Sequence, residues 1–101
     1  MSDPPLVLVA DDDRDILELL GTRLARAGYE VVTAADGFEA LDAVRLRPPD
    51  LAIVDVTMPR MDGHQLVREL RARPATAALP ILVLTAAVDE RVAAESADAG
   101  A

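Results

Sequence analysis

The sequence predicts an α/β domain wound around a parallel sheet, and three observations carry that prediction. Short apolar runs alternate with segments whose apolar residues recur at helical spacing. The runs Leu6-Val7-Leu8-Val9-Ala10, Leu51-Ala52-Ile53-Val54 and Ile81-Leu82-Val83-Leu84 are unbroken, as in strands buried on both faces. Aspartates or a threonine stand at their carboxyl ends, the edge along which such sheets place their ligands.

Taken in order, residues 1–5 are expected to be a short disordered tail, closed by Pro4 and Pro5 just before the first strand. Ile16, Leu17, Leu20 and Leu24 mark a first helix, with Glu18, Arg23 and Arg26 outward and Gly28 as its stop. Glu30–Ala34 reads as the second strand. Asp36-Gly37-Phe38-Glu39 has the form of an N-cap with a glutamate three positions on, opening a helix through Leu41 and Val44 to about Arg47. Pro48-Pro49 breaks it and leads into the central strand, which ends on Asp55. Met58-Pro59 stops that strand. Asp62 and Gly63 then serve as cap and turn, Gln65 takes the box position, and Leu66, Val67 and Leu70 mark a third helix. Arg68, Arg71 and Arg73 are expected to solvate its outer face, and Arg73-Pro74 ends it. A loop through Leu79-Pro80 leads to a fourth strand at 81–85 and an alanine-rich helix over about 89–99. Strands alternating with helices imply right-handed crossovers and a sheet covered on both faces.

At 101 residues the chain is read as one domain, 1–101, large enough for one core. Half of it is hydrophobic, but Tyr29 and Phe38 are the only aromatics, so aliphatic side chains must build that core. The formal charge of −8 argues against direct nucleic-acid or anionic-membrane binding, which needs clustered cations. The absence of cysteine excludes disulfides, thiolate catalysis and zinc–thiolate sites. The amino terminus has neither a basic leader nor an apolar stretch of signal or membrane length, so the expectation is a cytoplasmic soluble protein. All ten cations are arginines; there is no lysine.

In a parallel sheet the carboxyl ends of the strands share one edge, which brings Asp11, Asp12, Asp55 and Thr85 toward one another. By itself Asp11-Asp12-Asp13 is equally well an acidic helix start, favoured by capping and the macrodipole. Asp55 is different, because no cap requires an aspartate directly on a Leu-Ala-Ile-Val strand. Several carboxylates at one place repel, and at least one should have its pKa raised unless a cation intervenes. An open oxygen-rich site suits Mg²⁺. The cluster therefore reads as a magnesium site beside a carboxylate nucleophile that can form an acyl-phosphate.

These residues resemble the receiver domain of two-component response regulators over nearly the whole chain. Leu8-Val9-Ala10-Asp11-Asp12-Asp13 is similar to the acidic first-strand motif of that family. Asp55-Val56-Thr57-Met58-Pro59-Arg60-Met61-Asp62-Gly63 resembles its signature around the phosphorylated aspartate, and Leu79-Pro80-Ile81-Leu82-Val83-Leu84-Thr85-Ala86 its fourth strand. The resemblance implies a flavodoxin-like doubly wound sheet of strand order 2-1-3-4. It implies that Asp55 accepts a phosphoryl group from a histidine kinase or phosphotransfer protein and relays it as a conformational signal, without being an enzyme in its own right. Asp12 would bind Mg²⁺ directly, Asp11 mainly through water, and the Thr57 backbone carbonyl would complete the protein ligands. Thr85 would hydrogen-bond the phosphoryl oxygen and act as the switch, with small Ala86 keeping the pocket open.

The chain also departs from that pattern. The family continues into a fifth strand with a lysine before proline, and a fifth helix; here the sequence ends at Ala101 with no lysine anywhere. A charge-assisted hydrogen bond contributes ~1.5–3 kcal/mol, so capture of the phosphoryl group should weaken while nucleophile and metal ligands remain. Strand four should become an apolar edge, with four or five aliphatic side chains uncovered at about 1.5–3 kcal/mol each. A fragment of that kind is expected to form a homodimer through the strand-four edge or by a segment swap.

The remaining signals are smaller. His64 reads as a surface residue, Met58 and Met61 as packing around the loop. Thr57 is either a modulator of hydrolysis or a turn residue. Two other functions compete. A non-phosphorylated assembly module would use the fold and its edge alone. A phosphohydrolase of the haloacid-dehalogenase type wants a second aspartate two residues after the first, where this chain has Thr57. A Rossmann nucleotide site is disfavoured, because aspartates rather than a glycine-rich loop follow the first strand.

Overall fold

The computed structural model describes residues 3–84 apart from 57 and 59. In chain order the elements are β1 (Leu6–Ala10), α1 (Arg14–Arg26), β2 (Glu30–Ala34), α2 (Gly37–Leu46), β3 (Leu51–Asp55), α3 (Gly63–Arg71), a 3₁₀ turn (Pro74–Thr76) and β4 (Ile81–Leu84). All neighbouring strands are parallel and their order is β2-β1-β3-β4, the flavodoxin-like arrangement expected. The chain reverses direction across the sheet between β1 and β3, which is where such folds bind ligands.

The period-two alternation of the strands sorts their side chains onto two unequal faces. Leu8, Ala10, Ala52, Val54, Ile81 and Val83 face Ala40, Leu41 and Val44 of α2 and Leu66 and Leu70 of α3, all buried. Val7, Val9 and Ile53 face the other way, against half-buried Leu17, Leu20 and Leu24 of α1. No residue of α1 is itself buried. Burying a large aliphatic side chain contributes about 1.5–3 kcal/mol, so most of the hydrophobic stabilisation lies on the α2–α3 side.

Helix ends follow the sequence signals closely. Asp13 caps α1, accepting from the Asp15 and Ile16 amides at 2.9 and 3.4 Å. At the other end Gly28, at φ +99°, donates to Ala25 O, and Tyr29 donates to Leu24 O, the two bonds of a Schellman stop. Asp62 and Gln65 form a complete capping box on α3. On α2 the box is displaced by one residue: Asp36 accepts from the Glu39 amide, but Glu39 accepts from Ala35 rather than from Asp36.

Four expectations need correction. The tail does not extend through residue 5, because Pro5 O already accepts from the Glu30 amide at 2.9 Å and Asp50 accepts from the Leu6 amide at 2.8 Å. The loop after α3 holds a 3₁₀ turn that Pro74, with its fixed φ, begins. Of the three arginines only Arg68 is plainly solvated. Arg71 donates to Thr76 O and Ala77 O of that turn, and half-buried Arg73 has a buried Nε without a hydrogen-bond partner. Along β4 the apolar side chains are not uncovered together: Ile81 and Val83 are buried and Leu84 half-buried, while Leu82 is exposed, since only alternate residues leave the α2–α3 side. The end of the fourth strand at Thr85, the helix over 89–99 and everything expected beyond it lie outside the described residues.

Candidate functional site

Strand register delivers the site. Ala10 pairs with Val54, so the residues that follow them, Asp11 and Asp55, leave the sheet side by side. Asp11 is buried, Asp55 half-buried and Asp12 exposed, and one carboxylate oxygen from each lies within 4.8 Å of the others. Asp11 is held from two sides. Its amide donates to Ala34 O at 3.0 Å, and its own carboxylate accepts from the Asp13 amide at 2.9 Å. The aspartate triplet thus divides its work: Asp13 caps the helix, while Asp11 and Asp12 turn toward Asp55.

The electrostatics follow from that crowding. The Asp11 pKa is raised above the ordinary carboxylate value, chiefly because burial disfavours its charged form. The amide of Asp13 works against this, whereas the charges of Asp12 and Asp13 and a hydrogen bond to Asp12 add to it. A raised pKa was expected from repulsion; desolvation is the larger cause. Three convergent carboxylates, one of them reluctant to ionise, form an all-oxygen, net-negative donor set of the kind that suits a hard divalent cation such as Mg²⁺.

The segment after Asp55 is fitted against that site by backbone contact. Val56 donates to Leu84 O and accepts from the Gly63 amide, each at 2.9 Å. Gly63 is the first residue of α3, not a turn as expected. A Cβ there would clash with the Asp55 carbonyl oxygen and stand 2.8 Å from Val56 Cα, so only glycine lets the helix begin this close to the acceptor strand. Met58 is buried in the core and Met61 half-buried beside it, as packing residues. His64 is exposed. Thr57 and Thr85 lie outside the described residues.

One feature of this region escaped sequence reasoning. Arg60 forms an ion pair with Asp36, 24 residues earlier, and its guanidinium lies 5.4 Å from the centre of the Phe38 ring. The hydrogen bond from Arg60 is the main cause that holds the Asp36 carboxyl below its ordinary pKa, with the Glu39 amide second. Asp36 carried a sufficient local explanation as an N-cap, and no periodicity links it to Arg60.

Comparison with known proteins agrees with this geometry. The family model described as the response regulator receiver domain matches residues 7–101. The response regulator MprA of Mycobacterium sp. (strain KMS) is 49% identical over 100 residues, which cover 97% of this chain and 42% of that protein. The chain therefore spans about two fifths of the length of that relative. Among solved structures, the chemotaxis response regulator CheY4 of Vibrio cholerae superposes with a TM-score of 0.86 at 38% identity, covering 97% of this chain and 82% of that one. The N-terminal domain of a response regulator receiver protein from Methanoculleus marisnigri JR1 gives 0.81 at 38% identity, covering 91% and 76%. No helix among the described residues is long and apolar enough to cross a membrane.

Proposed function

The chain belongs to the response regulator receiver family, and from that premise we propose that it carries a phosphoryl group on Asp55. The donor is a phosphohistidine of a kinase or phosphotransfer protein. A carboxylate oxygen of Asp55 attacks phosphorus; the O–P bond forms as the P–N bond breaks, and the departing imidazole nitrogen takes up a proton. The product is an acyl-phosphate that must later be hydrolysed or passed on, which makes the domain a carrier and not a turnover enzyme.

The observation that supports this most is the convergence of Asp11, Asp12 and Asp55 from two neighbouring strand ends. Asp12 and Asp55, with Asp11 behind them, would hold Mg²⁺, joined by the Thr57 backbone carbonyl that the family pattern adds. Bound there, the cation offsets the negative charge that gathers on the transferred oxygens. Thr85 is assigned the hydrogen bond to the transferred group.

Incubation with acetyl phosphate and Mg²⁺, followed by intact-mass analysis, tests this. The expected result is a single phosphoryl adduct that chelator prevents and that Asp55→Asn abolishes. No adduct on the wild-type chain, or an equal adduct on Asp55→Asn, refutes the proposal.

A further inference from the structure

The segment between β3 and α3 is anchored at both ends. At one end the Gly63 amide bonds to Val56 O, with the start of α3 seated on the Asp55 carbonyl. At the other, Arg60 is bound to the head of α2. Its guanidinium pairs with Asp36 and covers Phe38, and the Met61 side chain fills the space that a Cβ on Gly37 would need. Arg60 has a φ of +67°, and among the described residues it is the one non-glycine with positive φ. Long side chains disfavour that conformation, and it persists where the surroundings over-determine it.

The anchor itself is fixed. Asp36 is only 5% exposed and accepts from the Glu39 amide at 2.9 Å, so its carboxylate has little freedom before Arg60 reaches it. It also lies two residues beyond Ala34, whose carbonyl receives the Asp11 amide. Residues 34–36 thus tether Asp11 and, through Arg60, the segment that leaves Asp55. Beyond the direct pairing of β1 with β3, this ion pair gives the two halves of the acidic cluster a second link.

We infer that the Asp36–Arg60 pair is a latch that tightens the placement of Asp55 relative to Asp11 and Asp12 that the strand register provides. Both are positioning residues, and neither touches the cation or the phosphoryl group. The inference rests on the phosphoacceptor reading above and adds to it a determinant of cation affinity outside the acidic cluster. Opening the latch leaves every carboxylate of the cluster present but loosens their mutual spacing, so cation binding weakens without loss of the fold.

The test is calorimetric titration of Mg²⁺ into the full chain, alongside thermal melting, for wild type, Asp36→Asn, Arg60→Gly and the double variant. Asparagine keeps the N-cap acceptor and removes only the charge. Glycine removes the guanidinium together with the conformational cost of positive φ. Each single change should weaken Mg²⁺ binding roughly three- to tenfold, the range of coupling carried by residues that contact no ligand. The double variant should be no weaker than the singles, and melting temperatures should stay within about 3 °C of wild type. Arg60→Lys should recover part of the loss. Unchanged affinities, additive losses, or losses that track the melting temperature overturn the latch. If wild type neither binds Mg²⁺ nor takes a phosphoryl group from acetyl phosphate, the phosphoacceptor reading fails and the latch with it. If wild type does both and the variants match it, the latch alone fails.

Discussion

Asp11 and Asp36 are both buried carboxylates, 7% and 5% exposed, and the protein shifts their pKa values in opposite directions. Asp11 sits among other carboxylates, and burial raises it. Asp36 receives a guanidinium and the Glu39 amide, and is lowered. Similar burial with opposite outcomes means that burial raises a carboxyl pKa where other carboxylates surround it, and that a guanidinium partner outweighs burial where one is supplied. The first carboxylate is left needing a cation; the second has one built into the chain.

The largest expected effect tests whether the need at the first site is chemical. Asp55→Asn should remove phosphoryl labelling altogether, since an amide oxygen cannot replace the nucleophile, while the circular dichroism spectrum stays that of wild type.

Next in size, Asp11→Asn should weaken Mg²⁺ binding by at least about tenfold, as even the outer partners of metal ligands cost that much. In chelator the same change should stabilise the fold near neutral pH, because a buried, cation-seeking charge is gone. Differential scanning calorimetry with and without Mg²⁺ reads both effects.

The pH profile in chelator separates the two aspartates. The raised pKa of Asp11 means the folded state holds its proton more tightly than the unfolded chain, so Asp11 stabilises in acid and that contribution is lost as pH rises through its folded value. Asp36 is the reverse: its contribution is present above the unfolded value of 3.8 and is lost as pH falls through the lower folded one. Asp36→Ala, which also removes the cap of α2, should therefore cost about 1 kcal/mol near neutral pH. The difference from wild type should shrink as melting is followed down to about pH 3.

The smallest effect belongs to the exposed counterpart of the Asp36 pair. Arg47 donates two hydrogen bonds of 2.8 Å to Glu30, but both side chains are about half exposed. Glu30→Gln should barely move the melting temperature, and the little it moves should vanish in high salt. A loss comparable with that of Asp36→Ala would show that burial of one partner matters less than the comparison supposes.

Much of this was legible before any coordinates. Strand runs, helix periodicity, Asp36 and Asp62 as caps and Gly28 as a stop are short-range signals that local chemistry settled, whereas the aspartate triplet read equally as helix start or site until the structure gave the cap to Asp13. The parallel order β2-β1-β3-β4 and the receiver resemblance brought Asp11, Asp12 and Asp55 toward one edge. Three things were hidden. Gly63 looked like a turn residue because its actual constraint, the Asp55 carbonyl, lies eight positions back in sequence. Arg71 looked solvated because its acceptors belong to a 3₁₀ turn read as loop. Arg60 and Asp36 each had an ordinary local role, and nothing in the spacing of the chain joined them.

The amino-acid order by itself determined which residues can ionise, which strand residues are apolar and which strand each carboxylate terminates, because propensity, capping and alternation act over a few residues. Tertiary structure alone decided which carboxylate meets other carboxylates and which meets a guanidinium. That choice depends on separations of a few ångströms between segments far apart in the chain, and charge interactions in a partly dry setting are steep functions of that distance.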